Sequence, residues 1–484
     1  MTLTPEQCRA ARLARDARFD GRFFTGVLST GIYCRPVCPA RPPLEKNVRY
    51  FFCAAAAEQA GLRPCLRCRP ELAPGERQRL PEQLARALHA IERGDLAEVT
   101  LDELAARYGT TARTLRRQCE QHLGLAPHKL EQTRRLLLAK QLLTDTRLSV
   151  TDVAFSAGFQ SLRRFNDAWL AAYGLPPSAL RKSLAPVAPG EGLTLRLAYR
   201  PPYDFAALLA FFRVRAIQGL EEVSAHCYVR YLPAGDDGAP ARVEVREGDG
   251  HQLAVTFYGI APKALPALLH KVRRQWDLDA DPAPIAARLQ QGQLAPWVAA
   301  APGLRLPGGW DPLEVMLRAI IGQQISVKGA ITMLGRLVAR RAELFGAPRL
   351  PDAAELQAMS LDGLGLTGSR VRTLKALAEA LIAGLNLETA QDGELLALPG
   401  IGPWTVAYWR LRCGQDPDAF PASDLVLQKA PIPGTRLSVA ELTALAEPWR
   451  PWRAYAASWL WHGAAHKLPF SVMDARQGAP DDLL

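Results

Sequence analysis

Leu398-Pro399-Gly400-Ile401-Gly402-Pro403-Trp404 is the stretch on which the reading of this 484-residue chain turns. Before it, Glu394-Leu395-Leu396-Ala397 reads as the end of one helix; after it, Thr405 to Arg412 reads as the start of another. Two glycines at alternate positions mark the turn between them. Glycine admits positive φ and leaves the backbone uncovered. A turn of this shape can aim successive N–H groups outward at a helix start, where the dipole favours a phosphate. A plain corner with a glycine cap needs the same residues. Asp424 lies twenty residues beyond Trp404, and Trp404 and Tyr408 are four apart, on one helix face. Trp461 adds a third aromatic near the C-terminus. Trp449, Trp452 and Trp459 read as ordinary core.

The string L-P-G-I-G resembles the helix-hairpin-helix of base-excision DNA glycosylases. The resemblance implies that Gly400 and Gly402 meet the DNA backbone and that Asp424 is the catalytic carboxylate, and it admits a cation at the hairpin backbone. Asp424 also follows Pro421-Ala422-Ser423 and precedes an apolar run, the pattern of a helix N-cap. Ala319 to Ser326 is similar to AlkA-type 3-methyladenine DNA glycosylases, as is Tyr199-Arg200-Pro201-Pro202-Tyr203-Asp204-Phe205. That likeness implies that Gln323 and Gln324 enter DNA beside the damaged nucleotide, and that Trp404, Tyr408 and Trp461 wall the base pocket. The family's wedge is bulky and apolar, so Gln324 departs from it; a plain helix end capped by Gly322 is the other reading. An enzyme that attacks a base must first flip it out of the duplex. Purines alkylated at N3 or N7 are cationic, and electron-rich rings attract cations. Two residues beyond the second glycine, where strand-cleaving relatives carry lysine, this chain has Trp404. The implied enzyme is a monofunctional glycosylase hydrolysing the N-glycosidic bond.

Charge is unevenly placed. Of the net +11, residues 1–190 carry all: 29 Lys+Arg against 18 Asp+Glu, leaving 30 of each for residues 191–484. The N-terminal part therefore has the electrostatic footprint of a DNA binder, and the remainder must make its case by motif. The length predicts about three or four domains. No apolar run of about 18 residues occurs, so no membrane partner is expected. The start of the chain lacks the apolar core of a signal peptide, which predicts a cytoplasmic protein.

Cys34-x3-Cys38 and Cys65-x2-Cys68 are two short-spaced pairs, the spacing of a four-cysteine Zn2+ site, one per chain. Cys8, Cys53, Cys119, Cys227 and Cys413 read as buried inert thiols. A purely structural zinc needs no more than the four cysteines. Arg35, Arg41, Arg63, Arg67 and Arg69 surround them as expected holders of phosphate. Thr25-Gly26 and Gly31-Ile32-Tyr33-Cys34-Arg35-Pro36 resemble the N-terminal domain of Ada-type methyltransferases. In that family the cysteine at Cys34 takes a methyl group from a DNA methylphosphotriester.

Between residues 85 and 182 two helix–turn–helix units follow, joined by a long helix from Pro127 to Leu143. The first runs Leu101–Tyr108, turns at Gly109-Thr110 and resumes at Ala112; the second runs Val150–Phe155, turns at Ala157-Gly158-Phe159 and resumes at Ser161. The pair resembles the AraC-type activator domain, a helical spacer being the alternative. Arg113, Arg116, Arg163 and Arg164 are the expected DNA contacts, on the second helix of each unit.

Residues 193–285 mix alternating strands with helices at Phe205–Arg213 and Ala264–Trp276, an α+β segment with an antiparallel sheet. The expected fold is multidomain and mainly α. It comprises a zinc-bound Ada-like domain (1–76), an all-α AraC-type domain (82–184), an α+β domain (191–285) and an all-α helix-hairpin-helix glycosylase domain (286–484). Linkers are expected at Ala73–Glu76 and Ala185–Gly190. The implied function is repair of alkylated DNA by a 3-methyladenine glycosylase fused to a methyl-sensing transcription activator. Its expected partners are double-stranded DNA (alkylated bases, methylphosphotriesters, promoter sites) and RNA polymerase, and it is expected to be monomeric. The rival is a transcription regulator whose glycosylase-like half is catalytically inert.

Overall fold

The computed structural model describes residues 3–74, 82–97, 99–181, 192–233, 240–413, 416–431 and 434–466. The expected linker at 185–190 and the second half of that at 73–76 lie outside them.

The chain opens on helix Pro5–Ala14, started by a capping box between Thr4 and Gln7. A four-stranded sheet follows, which the sequence reading did not foresee: β1 (Phe24–Val27), β2 (Ile32–Cys34), β3 (Val48–Phe51) and β4 (Arg63–Pro64), in the order β3-β1-β2-β4. The pairing of β2 with β4 is parallel and the others are antiparallel. Phe24, Tyr33, Phe51, Ala57 and Leu62 form its small core.

Both helix–turn–helix units are present, and local signals set their ends. Thr100 and Glu103 form a capping box for Leu101–Arg107, and Thr111, Ser149 and Ser161 cap Ala112–Leu123, Val150–Ser156 and Leu162–Tyr173 with their side chains. Gly124 and Gly174 end two of these helices in the left-handed conformation. The joining helix spans Pro127–Asp145.

The next segment is a five-stranded antiparallel sheet of order β5-β9-β8-β7-β6: β5 (Leu193–Ala198), β6 (Glu221–Val223), β7 (Cys227–Leu232), β8 (Ala241–Gly248) and β9 (Gln252–Tyr258). Val243 faces Phe257 and Val245 faces Val255, so one face of β8 and β9 is apolar. Helices Phe205–Arg213 and Leu265–Gln275 cover it. The remainder is helical and has two cores. One gathers around Leu317, Leu337, Leu377 and Trp409, the other around Ile285, Leu427, Leu442 and Leu460. No described helix is long and apolar enough to cross a membrane.

The second helix–turn–helix unit and the five-stranded sheet share one apolar core. Leu136, Leu142, Val153, Phe165 and Trp169 belong to the same cluster as Leu195, Leu197, Val255 and Trp276. Polar contacts follow the same seam. Gln141 donates to the Arg196 carbonyl at 2.9 Å, Arg22 pairs with Asp281 at 3.0 Å, and Arg93 pairs with Glu388 at 2.6 Å. Arg200 is fully buried; its Nε donates to the Asp20 carbonyl at 2.7 Å and it also donates to the carbonyls of Pro74 and Asp279. Buried Arg305 in turn donates to the carbonyls of Arg200 and Pro202.

A buried ion network fixes the sheet to the helical part. Arg230 of β7 pairs with Glu314 at 2.6 Å, and Arg318 pairs with Glu221 at 2.7 Å. Burial alone would push the Glu314 carboxyl up, but Arg230 and Arg318 hold it well below its ordinary range. Removing one partner would strand a buried charge, so the network holds the two parts in a single alignment.

Candidate functional site

The four paired cysteines converge. Cys34 ends β2, and the parallel partner β4 delivers Cys65 beside it, with the Cys65 amide donating to the Tyr33 carbonyl at 2.9 Å. Cys38 turns back on Arg35, and the Arg35 amide donates to the Cys68 sulfur at 3.3 Å. All four sulfurs lie within 4.8 Å of one another, the only group of at least three metal-binding side chains among the described residues. Zn–S bonds of about 2.3 Å give a tetrahedron with edges of about 3.8 Å, so a zinc ion fits this soft donor set. Cys65 and Cys68 are buried; Cys34 and Cys38 are partly exposed. Of the other five, Cys8, Cys119, Cys227 and Cys413 are buried, while Cys53 is only half-buried.

Two of the surrounding arginines do not face outward. Arg35 is buried, its guanidinium donating to the Asp20 carboxylate and to the Cys68 carbonyl at 3.1 Å. Arg69 pairs with Asp145 at 2.7 Å and Glu71 at 3.0 Å. Both brace the cysteine loops through these carboxylate pairs. Arg41, Arg63 and Arg67 are exposed. So are Arg113, Arg116, Arg163 and Arg164, opposite the buried faces of Leu115 and Cys119 on one helix and of Phe165 and Trp169 on the other.

The hairpin runs from helix Asp392–Leu396 to helix Pro403–Cys413. Gly400 has φ +81°, and a Cβ there would stand 2.0 Å from Thr373 Oγ1. Gly402 has open space where a Cβ would be, leaving its backbone free to meet a ligand, and its carbonyl accepts from the Val406 amide. Gln323 is drawn to the hairpin instead of outward: its Nε2 donates to the Gly400 carbonyl and to Thr405 Oγ1, both at 3.0 Å. Gln324 is exposed at φ +55°, a rare conformation for a side-chain-bearing residue, at the tip between helices Pro312–Gly322 and Val327–Phe345.

A cavity of about 1650 Å³ lies behind the hairpin, lined by Trp404, Tyr408, Asp424, Trp461, Gln323 and Gln324 among others. Trp404 and Tyr408 stack with ring centroids 5.2 Å apart, and Tyr408 meets Trp461 edge-to-face at 6.3 Å. Asp424 caps helix Leu425–Lys429 and lies in the cavity wall at once. Its Oδ1 accepts from the amides of Val426 (3.0 Å) and Leu427 (3.1 Å) and from Trp461 Nε1 (3.1 Å). Among the described residues its Oδ2 accepts from Trp404 Nε1 alone, at 2.9 Å. Oδ2 therefore keeps the spare acceptor capacity that a developing positive charge or a water can use. Trp449 and Trp459 are core, and Trp452 is partly buried.

Phe211 and Arg412 are among the cavity residues that sequence reasoning missed. Arg412 continues the Trp404–Tyr408 stripe one further step of four, and the stripe itself was the available signal. Burial pushes the Tyr408 phenol up, but the Arg412 and Arg215 guanidiniums more than offset it and leave it below its usual value.

Four family models match the chain in succession: "Metal binding domain of Ada" over residues 7–71, "Helix-turn-helix domain" over 104–183, "AlkA N-terminal domain" over 194–311 and "HhH-GPD superfamily base excision DNA repair protein" over 317–431. Along nearly its whole length the chain is similar to the probable bifunctional transcriptional activator/DNA repair enzyme AlkA of Mycobacterium tuberculosis: 37% identity, covering 96% of this chain and 97% of that one. It is also 34% identical to DNA-3-methyladenine glycosylase 2 of Escherichia coli (55% of this chain, 96% of that one). With the bifunctional transcriptional activator/DNA repair enzyme Ada of the same organism it shares 36% identity (32% of this chain, 43% of that one).

Proposed function

Since this chain belongs to the family of bifunctional transcriptional activator/DNA repair enzymes, we propose that it repairs alkylated DNA through a 3-methyladenine glycosylase half and senses the damage through its N-terminal half. The observation that carries the reading is the placement of Asp424 in the wall of an aromatic cavity, its Oδ2 held by Trp404, behind a hairpin whose Gly402 backbone is uncovered. The hairpin grips the strand, Gln324 at the exposed tip between helices Pro312–Gly322 and Val327–Phe345 fills the gap left by the flipped nucleotide, and the base enters the aromatic cavity. The N-glycosidic bond breaks with its electrons going to the base, which neutralises an alkylated purine as it leaves. Asp424 stabilises the positive sugar, water adds at C1′, and Asp424 Oδ2 takes its proton. Trp404 offers no amine for attack on the sugar, so the strand is left intact at an abasic site.

In the N-terminal half the reading is methyl transfer to Cys34. Bound by Cys34, Cys38, Cys65 and Cys68, zinc would keep their sulfurs as thiolates at neutral pH. Cys34 sulfur forms a bond to the methyl carbon, the O–CH3 bond of the phosphotriester breaks, and the phosphate leaves as an anionic diester. Arg41, Arg63 and Arg67, exposed nearby, meet the flanking phosphates. Loss of one thiolate charge strengthens DNA binding, and the helix–turn–helix units with Arg113, Arg116, Arg163 and Arg164 take the promoter and bring RNA polymerase to it. Working boundaries for the four parts are 1–76, 82–184, 191–285 and 286–484.

The test is to incubate the full chain with methylated duplex DNA and count abasic sites. Wild type should release alkylated bases and leave abasic sites, and Asp424→Asn should not. No abasic sites with wild type would leave the regulator with an inert glycosylase-like half.

A further inference from the structure

One helix touches both elements assigned above to DNA contact. Helix Gly368–Ile382 is started by Thr367, whose side chain accepts from the Arg370 amide. Arg370 and Thr373, three apart, stand on one face of its first turns. Thr373 packs on the hairpin, where a Cβ at Gly400 would stand 2.0 Å from its Oγ1. Half-buried Arg370 reaches the tip between helices Pro312–Gly322 and Val327–Phe345, its Nη2 donating to the Gln323 carbonyl. Gln323 is therefore held at both its ends, since its side chain donates to the Gly400 carbonyl and to Thr405 Oγ1.

The oxygen that Arg370 holds belongs to the peptide between Gln323 and Gln324. That peptide is rigid, so turning it changes ψ of Gln323 and φ of Gln324 together. Gln323 has φ −55° and ψ +125°, Gln324 has φ +55°, and the Ile325 amide donates to the Gly322 carbonyl at 3.5 Å. These are the marks of a type II turn, with glutamine at the position that favours glycine. A flip of the central peptide would give the type I turn that a residue with a side chain prefers. Strain of this kind persists only where the surroundings fix it. The Arg370 guanidinium does so, because its charge-assisted hydrogen bond exists only while the Gln323 oxygen points toward helix Gly368–Ile382. A flipped peptide loses that bond and re-aims the Gln324 side chain.

We propose that Arg370 is a positioning residue for base flipping: it holds the turn Gly322–Ile325 in its strained form, so that Gln324 stands at a fixed offset from the hairpin before DNA arrives. The inference rests on the glycosylase reading above, in which Gln324 fills the vacated stack, and names the group that sets it in place.

The experiment uses the full chain and two duplexes of one sequence with a single 7-methylguanine, opposite cytosine in one and opposite a tetrahydrofuran abasic residue in the other. The second lesion is unpaired, so extruding it asks less of the wedge. Single-turnover excision, duplex affinity and thermal unfolding are measured for wild type, Arg370→Met, Arg370→Lys, Gln324→Ala and the double variant Arg370→Met/Gln324→Ala. Arg370→Met should excise the paired base about ten-fold more slowly, the effect of one lost charge-assisted hydrogen bond, and the unpaired base less than about three-fold more slowly. Arg370→Lys, which keeps a charged donor, should stay within about three-fold of wild type on both. Gln324→Ala should show the same selective loss and the double variant no further loss, because Arg370 acts through Gln324. Wild-type rates in Arg370→Met, a parallel loss on both duplexes, a loss of affinity alone, or losses that multiply in the double variant would each mean that Arg370 does not set the tip, and the proposal falls. Should Arg370→Met melt early, Arg370→Gln is read by the same criteria. Gln324→Ala without a selective loss overturns the wedge assignment instead, and wild type that releases neither base overturns the glycosylase reading; both failures are visible without any Arg370 variant.

Discussion

Trp404 Nε1 donates to Asp424 Oδ2 at 2.9 Å, so a wall of the cavity holds its carboxylate. Residues twenty apart in sequence are thereby made one unit. Asp424→Asn keeps the shape and the capping of Leu425–Lys429 while removing the charge. Charge stabilisation in such a site accounts for several kcal/mol, so excision should fall by about two orders of magnitude or more. Trp404→Phe keeps a ring against Tyr408 but removes the donor, and should cost about ten-fold in kcat with the fold intact. Single-turnover assays on methylated DNA check both; near-wild-type rates for Asp424→Asn would place the catalytic carboxylate elsewhere.

The chemistry after base release is also testable. Lys429, the first lysine after the hairpin, is exposed at the end of helix Leu425–Lys429. No Schiff base should form, so borohydride added during turnover should trap no protein–DNA adduct. Strand breaks should appear only after alkali or heat. A covalent complex trapped at any lysine refutes this.

The cysteine cluster predicts one zinc per chain by elemental analysis. Serine at Cys38, Cys65 or Cys68 should reduce the zinc content and lower the unfolding temperature of the purified protein. After exposure to DNA carrying methylphosphotriesters, mass spectrometry should find one added methyl, on Cys34. A methyl on buried Cys65 or Cys68 contradicts the assignment.

The two hairpin glycines should behave differently. Gly400→Ala forces a Cβ against Thr373 at a positive φ, which costs at least about 1–2 kcal/mol in backbone strain alone. Thermal stability should drop and excision with it. Gly402→Ala meets nothing within 4 Å, so the fold should be unaffected while affinity for duplex DNA declines. Equal melting temperatures for the two variants would show that the turn tolerates a side chain at Gly400.

Acid should weaken the seam between the halves. His270 packs edge-to-face on His89 across it, centroids 6.1 Å apart. Burial, then the charges of Arg274, His89 and Arg93, push its pKa well below 6.5, with Asp279 opposing. A histidine depressed in the fold stays neutral there while the unfolded chain takes up a proton. Stability is therefore full above about pH 6.5 and is lost as pH falls below it. Melting temperature should decline from about pH 7.5 to about pH 5.5, and His270→Leu should flatten that slope. A slope identical in the variant excludes His270 as its source.

What could be read from the sequence was what depends on near neighbours. The helix–turn–helix ends follow from Thr100 with Glu103, from Ser161 and from glycines 124 and 174, each acting within a few residues. The zinc site follows from two spacings. Strand β7 was missed because Arg230 interrupts its apolar pattern, and the Glu314 that makes the burial tolerable lies 84 residues away. Arg35 misled for the same reason, since a charge is read as exposed until its partner, here Asp20, is known. The short β1 to β4 carry little alternation, and the pairing of Ile32 with Arg63 joins residues far apart in the chain. The hairpin acceptors of Gln323, some eighty positions on, could not be read from its neighbours.

The core shared by Trp169 and Leu197 has a consequence for any division of the chain. The helix–turn–helix part and the sheet close each other's apolar faces, so neither is covered on its own. A deletion that isolated either half would leave it with an uncovered greasy flank, prone to aggregate. Any cut or exchange of one part must therefore redesign the apolar face of the other, because each forms part of the other's interior.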